Sequence, residues 1–159
     1  MKWSLLLMAG IVASSSAANA QVLEEKDISA NLALEIAQTA MAQCQPHVSV
    51  AVVDRAGRLR AFLQGDGASP HNIELARRKA FTALTFKMPS ADWKKELIQR
   101  PDLAGQRSLT DVIPLGGGMP IMVGDEAIGG IGLSGAPNGQ EQEESCAKAG
   151  IAKVADQLK

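Results

Sequence analysis

The chain has 159 residues, with 16 basic and 17 acidic side chains and a formal net charge of −1. That balance excludes the strongly basic surface by which proteins bind nucleic acid or an anionic membrane. Tyrosine is absent and there are only two Trp and three Phe, so a surface that stacks bases or sugars is not expected.

The first twenty residues have the pattern of a secretory signal peptide. Lys2 supplies a positive start, and residues 3–12 form an apolar run that is shorter than the roughly 20 residues needed to span a bilayer. Ala18-Asn19-Ala20 is a small-x-small cleavage pattern before Gln21. We expect cleavage there, a single domain over residues 21–159 and a periplasmic or secreted location; a membrane anchor or a buried helix is the alternative.

Two cysteines, Cys44 and Cys146, remain after the expected cleavage. They are too far apart for a CxxC metal or redox site. In an oxidising compartment we expect them to form one bridge, and the alternative is a pair of small buried thiols.

The first predicted elements are a helix and a hairpin. Ser29 can cap a helix that runs to about Gln45. Residues 48–53 are small or apolar on both alternating faces, which is typical of an inner strand. The "DRAG" turn at residues 54–57 then leads into a second strand, "RLRAFLQ".

Two helices follow the hairpin. Ser69 is a good N-cap and Pro70 fits the first position of a helix that ends near Phe86. Pro89-Ser90 starts a shorter helix to about Gln99, and residues 100–113 show no clear period. The residues expected on the buried side of the first of these helices are Ile73, Ala76, Ala80, Ala83 and Leu84.

The last part of the chain predicts a second hairpin and a final helix. Residues 121–123 and 126–134 flank Gly124-Asp125, a strong turn signal because Gly supplies positive φ. A helix then runs to the end of the chain. Tight turns between strands give an antiparallel sheet, and helices on its faces give an α+β domain, that is, an α/β sandwich.

Gly130-x-Gly132-x-x-Gly135 has the spacing of a dinucleotide-binding fingerprint. That motif needs a second parallel strand, for which the 24 residues after Gly135 leave no room (159 − 135 = 24). Acidic residues near the start of the following helix, Glu143 among them, would also repel a pyrophosphate. Glycines inside a strand instead indicate close approach, and a packed helix, a flat ligand or a neighbouring subunit all remain open.

The chain contains no GxSxG or HExxH motif, and His47 and His71 are its only histidines. His71 lies in the first turn of its helix, where partial positive charge disfavours imidazolium and keeps a nitrogen free to bind metal. We take His71 as the candidate metal ligand, with a solvent-facing role as the alternative. His47 precedes an apolar strand and is assigned a structural role.

Three successive cations, Arg77 to Lys79, point about 100° apart on their helix. We expect two to be solvated and one, Lys79 or Arg78, to reach a carboxylate such as Asp54 or Asp66, or a ligand propionate.

Four ordered blocks resemble one protein family over residues 30–155. They are "VSVAVVDRAGRLRAFLQGDGA", "ARRKAFTALTF", "PLGGGMPIMVGDEAIGGIGLSG" and "ESCAKAGIAKV". Together they are similar to the GlcG/HbpS-like family of small haem-binding proteins, also called the haem-degrading domain family. The resemblance implies a profilin-like domain, homo-oligomers and binding of haem or a related tetrapyrrole, with a role in haem capture, sensing or breakdown.

Carried onto this sequence, the resemblance gives a candidate cofactor-binding set, with His71 added as our inferred iron ligand. No residue is assigned a catalytic role, and without CxxCH any haem is held noncovalently. The alternatives are a small enzyme acting on a carboxylate such as glycolate through Lys79, Asp54 and Ser134, and a ligand-free oligomeric scaffold. The candidate set is His71, Lys79, Asp54, Asp66, Gly117 and Ser134.

Overall fold

A computed structural model describes residues 23–45 and 47–159, so the predicted signal peptide lies outside the described residues. The described chain alternates helices with two hairpins, in the order that the sequence predicts. The elements are α1 (Ala30–Cys44), β1 (Ser49–Asp54), β2 (Leu59–Gln64), α2 (His71–Phe86), α3 (Ser90–Gln99), a 3-10 helix (Pro101–Ser108), β3 (Gly118–Val123), β4 (Glu126–Ser134), α4 (Gln140–Lys153) and a short 3-10 turn (Ala155–Gln157).

The four strands form one antiparallel sheet in the order β2-β1-β4-β3. β4, which comes last along the chain, therefore lies between β1 and β3. Ser49 pairs with Ser134 at one end of the sheet, and Asp54 pairs with Gly129 at the other. The predicted α+β class is confirmed.

Helices cover both faces of the sheet. Ile36 of α1 and Cys146 of α4 share the main apolar core with Val50 and Ile131 of the central strands. On the opposite face α2 packs on β4, with contacts to β1 and β3 as well. Every residue of β1 is buried, as expected for a strand covered on both faces.

The strand glycines seat α2 directly on the sheet. A Cβ at Gly132 would lie 2.2 Å from the carbonyl oxygen of Ala76, and one at Gly130 would lie 2.4 Å from that of Ala80. A Cβ at Gly118 of β3 would also meet α2, at 2.2 Å from the Lys79 carbonyl oxygen. Of the three explanations that the sequence left open, a packed helix accounts for these glycines.

Both helix starts lie where the sequence predicts them, but only α1 has a side-chain capping bond. The Ser29 hydroxyl accepts the Leu32 N–H at 3.2 Å and caps α1 as predicted. At α2, Pro70 already has helical dihedral angles, as expected for a first helical position, and the carbonyl of Ser69 accepts the Asn72 N–H at 3.0 Å, but the helix start has no side-chain capping bond.

The predicted buried side of α2 is correct except at Ile73, which is 42% exposed. The helix turns a stripe containing Asn72, Ala76, Lys79 and Ala80 towards the glycines of the sheet, and Ile73 lies outside that stripe.

A disulfide joins Cys44, at the end of α1, to Cys146 in α4, which confirms the expected bridge. Both residues are buried in the main core. Within residues 23–45 and 47–159, every helix is too short or too polar to cross a bilayer.

Candidate functional site

Polar residues gather at the end of the sheet where β1 begins and where β2 and β4 end. The His47 ring lies in the loop before β1, and its Nδ1 is 2.6 Å from the carbonyl oxygen of Asp66 in the loop after β2. Gly67, with φ +77°, passes so close to the ring that a Cβ there would lie 3.2 Å from Nδ1. The imidazole is therefore fixed by the second loop.

A groove of about 400 Å³ opens at the same end of the sheet, between the last turn of α1 and the loop after β2. Its residues are Met41, Ala42, Gln45, Gln64, Gly65 and Asp66. Asp66 both lines this groove and contacts His47 Nδ1 through its carbonyl oxygen.

Ser134 also lies at this end, but it faces inwards. Its hydroxyl is buried and donates to Oδ1 of Asn72 at 3.1 Å. This bond holds the first turn of α2 against the end of β4. Ser134 thus contributes to the site by positioning α2 and presents no group to solvent.

His71 is the first residue of α2 and is exposed. Among the hydrogen bonds of the described residues, none fixes either of its ring nitrogens. The ring is accessible, as the sequence suggested, but its orientation is not set by a partner.

Lys79 forms a buried ion pair instead of the predicted contact with Asp54 or Asp66. Its Nζ lies 2.6 Å from Oε2 of Glu143 in α4 and donates to the Leu133 carbonyl at 3.0 Å. Both side chains are 4% exposed. The Lys79 ammonium is therefore buried and bound to groups of the protein interior.

Glu143 joins α2, β4 and α4 through both of its oxygens. Oε1 accepts the N–H of Gly135 at 2.8 Å, while Oε2 takes the Lys79 ammonium. Gly117 lies against this pair: its φ is +107°, and a Cβ there would fall 2.5 Å from Glu143 Oε2. Gly117 thus lines a buried ionic cluster.

From its position in the sequence, Glu143 is only an acid near a helix start. One signal could have placed it: residues 143, 146, 147 and 150 fall on one helical stripe, and the other three are small and buried. An acid on a buried stripe requires a buried cation.

Side chains already bind N–H groups of the triple glycine at residues 116–118, the last of which begins β3. Gly116 N–H donates to Oε1 of Gln140 at 2.7 Å, and Gly118 N–H donates to the Ser90 hydroxyl at 2.9 Å. These are the donors that a phosphate-binding loop would offer to its ligand. Their occupation agrees with the exclusion of a nucleotide site.

Asp54 lies at the far end of β1, about 17 Å from Ser49 at roughly 3.3 Å per residue. Its Oδ1 accepts the N–H groups of Ala56 and Arg58, both at 2.9 Å, and its Oδ2 binds the guanidinium Nε of Arg58 and Arg60. Burial acts to raise the pKa of this carboxyl, but the hydrogen bonds from Arg58 and Ala56 prevail and hold the pKa below its usual value. Asp54 stabilises the β1–β2 turn.

The other two cations of α2 are also paired, so the expectation that two of the three are solvated is wrong. Arg77 bonds to Glu74 and Asp111, and Arg78 donates to the Val112 carbonyl. These bonds hold the segment before β3 against α2.

The six predicted residues therefore occupy three places. His71, Asp66 and Ser134 lie at one end of the sheet, Lys79 and Gly117 lie in the buried cluster, and Asp54 lies at the opposite end. Among the described residues, no three or more His, Cys, Asp or Glu side chains gather as a metal site.

Comparisons with known proteins agree on one family. A family model described as "Haem degrading protein HbpS-like" matches residues 28–152. A crystal structure of HbpS is 34% identical, with a TM-score of 0.79, over 84% of this chain and 94% of that chain. A double mutant of Streptomyces reticuli HbpS is 32% identical, with a TM-score of 0.78, over 93% of this chain and 98% of that one.

A third similar structure is described as a complex with haem. The "PduOC:Heme Complex" is 28% identical, with a TM-score of 0.69, over 79% of this chain and 94% of that chain. A search of curated proteins gives no significant match.

Proposed function

The chain belongs to the HbpS-like family of haem-degrading proteins, and on that premise we propose that it binds haem or a related tetrapyrrole noncovalently. The observation that carries the proposal is the likeness to a solved haem complex over nearly the whole of that domain. Both cysteines form the disulfide, so neither is free to bond covalently to a porphyrin.

The residues present fit a haem group in part. The sheet end offers two exposed histidines, and the groove there has apolar surface only from Met41 and Ala42, whereas a porphyrin requires an axial ligand and a largely apolar pocket. Lys79 does not fit the predicted role of binding a propionate, because its ammonium is buried on Glu143.

Haem supplies iron that can bind and activate an oxidant, so capture, sensing and breakdown all remain within this proposal. The described side chains contribute binding and orientation. The carboxylate-directed enzyme has no such support: Lys79 and Asp54 are both fully paired, and Asp54 lies at the opposite end of the sheet from Ser134.

Titration of residues 21–159 with hemin tests the proposal. We expect a saturable shift of the Soret band, with a stoichiometry that light scattering can relate to the homo-oligomer that we also propose. A spectrum equal to the sum of free hemin and protein at every ratio would refute haem binding.

Breakdown is tested separately from binding. Peroxide is added to the loaded protein and to free hemin at the same concentration, and the Soret decay and the iron release are followed. Faster loss with protein present supports a degrading activity, whereas equal rates limit the function to binding.

We also propose export, on the basis of the signal-peptide pattern. N-terminal sequencing of the protein from the periplasm or the medium should read from Gln21. Retention of the full chain in the cytoplasm would contradict export and would leave haem binding to be judged by the titration.

A further inference from the structure

We propose that the outer edge of β2 is the surface by which two copies of this chain associate, with their β2 strands paired antiparallel across a two-fold axis through Phe62. This inference names a contact for the homo-oligomer already proposed, and it does not depend on haem binding. A two-fold contact uses the same patch on both subunits, so the patch must be complementary to itself.

The outer side of β2 is open. In the sheet order β2-β1-β4-β3 the strand is at an edge, and among the described residues the backbone groups of residues 59–64 bond only within the β1–β2 ladder. The Gly65 N–H donates to the Val48 carbonyl at 2.8 Å. By the alternation of an antiparallel ladder, Phe62 and Gln64 therefore direct their backbone N–H and C=O away from β1. These groups can continue the sheet into a further strand.

The two edges of the sheet differ in how they are protected against pairing. The opposite edge strand, β3, contains Pro120, which lacks an N–H and interrupts a ladder. β2 has the sequence LRAFLQ, without proline or lysine. Arg58 and Arg60 would repel a second copy if their charges were free. Both form ion pairs with Asp27 and Asp54, so this charge is balanced within the chain.

The face of β2 that carries Phe62 is also poorly covered. Ala61 and Leu63 pack with the main core on the side of α1, so Phe62 between them points to the other face. On that face α2 packs on β4, β1 and β3, and the described helix with extensive contact to β2 is α1. The Phe62 ring is half-buried and lies outside the three apolar clusters of the described residues. A second copy would cover it.

Pairing centred on Phe62 matches both apolar and charged groups. Each Phe62 then lies opposite the same residue of the second copy, and aromatic cross-strand pairs stabilise antiparallel sheets. Arg58, just before β2, comes opposite Asp66, two residues after it, and the two-fold axis repeats this pair. Both side chains are exposed. Moving the centre to Ala61 or Leu63 would separate the two rings.

Cross-linking tests this register directly. Phe62→Cys places a thiol opposite its own copy at a Cα separation of about 5.5 Å, which a disulfide can span. The two cysteines of the chain are already bonded to each other, so the added thiol is free. After mild oxidation we expect at least half of Phe62→Cys to run as a covalent dimer on a non-reducing gel.

The matched control is Gln64→Cys, on the same face of the same strand. Its copies would lie about 13 Å apart, four residues at about 3.3 Å each, which is too far for a disulfide. Gln64→Cys should therefore run as a monomer on the same gel.

A charge substitution tests the contact in solution. Phe62→Glu sets a carboxylate against its own copy, and like charges directly opposite destabilise a sheet. We expect the mass of the assembly, measured by light scattering, to fall by at least half. Leu109→Glu is the control, because Leu109 is 50% exposed and lies outside β2, and it should keep the wild-type mass. Circular dichroism checks that both variants fold.

Three results would overturn the contact: a wild-type protein that is monomeric at every concentration, equal cross-linking of Phe62→Cys and Gln64→Cys, or a folded Phe62→Glu with the wild-type mass. Hemin titration of the wild type separates this inference from the proposed function. If hemin binds and Phe62→Cys does not cross-link, the β2 contact fails while haem binding stands. If Phe62→Cys cross-links and the Soret band does not shift, haem binding fails while the contact stands.

Discussion

The buried pair of Lys79 and Glu143 makes the sharpest prediction for stability. Replacing Glu143 by Gln keeps the shape of the side chain and an oxygen for the Gly135 N–H, but it removes the charge that faces the ammonium at 2.6 Å. Lys79 is 3% exposed as a residue, so water cannot take the place of the carboxylate.

Breaking a buried pair by removing one partner typically costs about 3–5 kcal/mol. Glu143→Gln should therefore lower the free energy of unfolding by about that amount. With a urea m-value of about 2 kcal/mol/M for a domain of this size, the midpoint of unfolding should fall by about 2 M.

A double substitution tests whether the loss comes from the unpaired charge. Lys79→Met with Glu143→Gln leaves no buried charge, so it should be less destabilised than the sum of the two single changes by at least about 2 kcal/mol. The matched control is Glu96→Gln, which removes the same charge from an exposed pair with Arg100 and should cost less than about 1 kcal/mol.

The measurement is urea unfolding at pH 7, followed by circular dichroism. A Glu143→Gln midpoint close to that of Glu96→Gln would refute the reasoning, since the pair would then behave as if solvated. Strict additivity in the double variant would show that the two side chains act independently.

Three further predictions concern the fold. Gly132→Ala should lower the free energy of unfolding in urea by at least about 2 kcal/mol, because its Cβ would lie 2.2 Å from a backbone oxygen. Gly105→Ala is the control and should cost little, because no atom lies within 4 Å of its Cβ position. Equal costs would contradict the direct packing of α2 on the sheet. Asp54→Asn should be most destabilising at pH 7 and less so at lower pH. The pKa of Asp54 is lowered in the folded protein, so its ionised form stabilises the fold above about pH 4, and this stability is lost as the pH falls through the folded pKa. A difference in stability that does not change with pH would contradict this prediction. Replacing Cys44 and Cys146 together by Ala opens a loop of 102 residues and should cost about 5 kcal/mol, measured against the oxidised wild type; an unchanged midpoint would oppose this.

The fold followed from local patterns in the sequence. The doubly apolar run at residues 48–53 predicts an inner strand and Gly124-Asp125 predicts a hairpin turn, and the structure contains both. The glycines also excluded a nucleotide fold, although the sequence did not show that a helix fills the space.

The candidate site followed only in part, because it depends on contacts distant in sequence. Lys79 and Glu143 are 64 residues apart, and two helices must pack on the sheet before they meet. His47 was assigned a structural role because it precedes an apolar strand; its partner is a backbone oxygen 19 residues away, and a backbone acceptor leaves no trace in residue identity. The one signal in the sequence was the position of Glu143 on a helical stripe of small residues, which indicates a buried acid that needs a cation.

The central place of β4 has a consequence for biosynthesis. The β1–β2 hairpin emerges from the ribosome first, but the strand that joins it to β3 ends only at Ser134. Until then α1 and β1 can pack only within the β1–β2 hairpin and lack β4 as a neighbour, and such non-local pairing is slow and exposes the chain to aggregation. Nascent chains that stop before this strand should thus be sensitive to protease along their whole length, and protection should arise in one step once synthesis passes it.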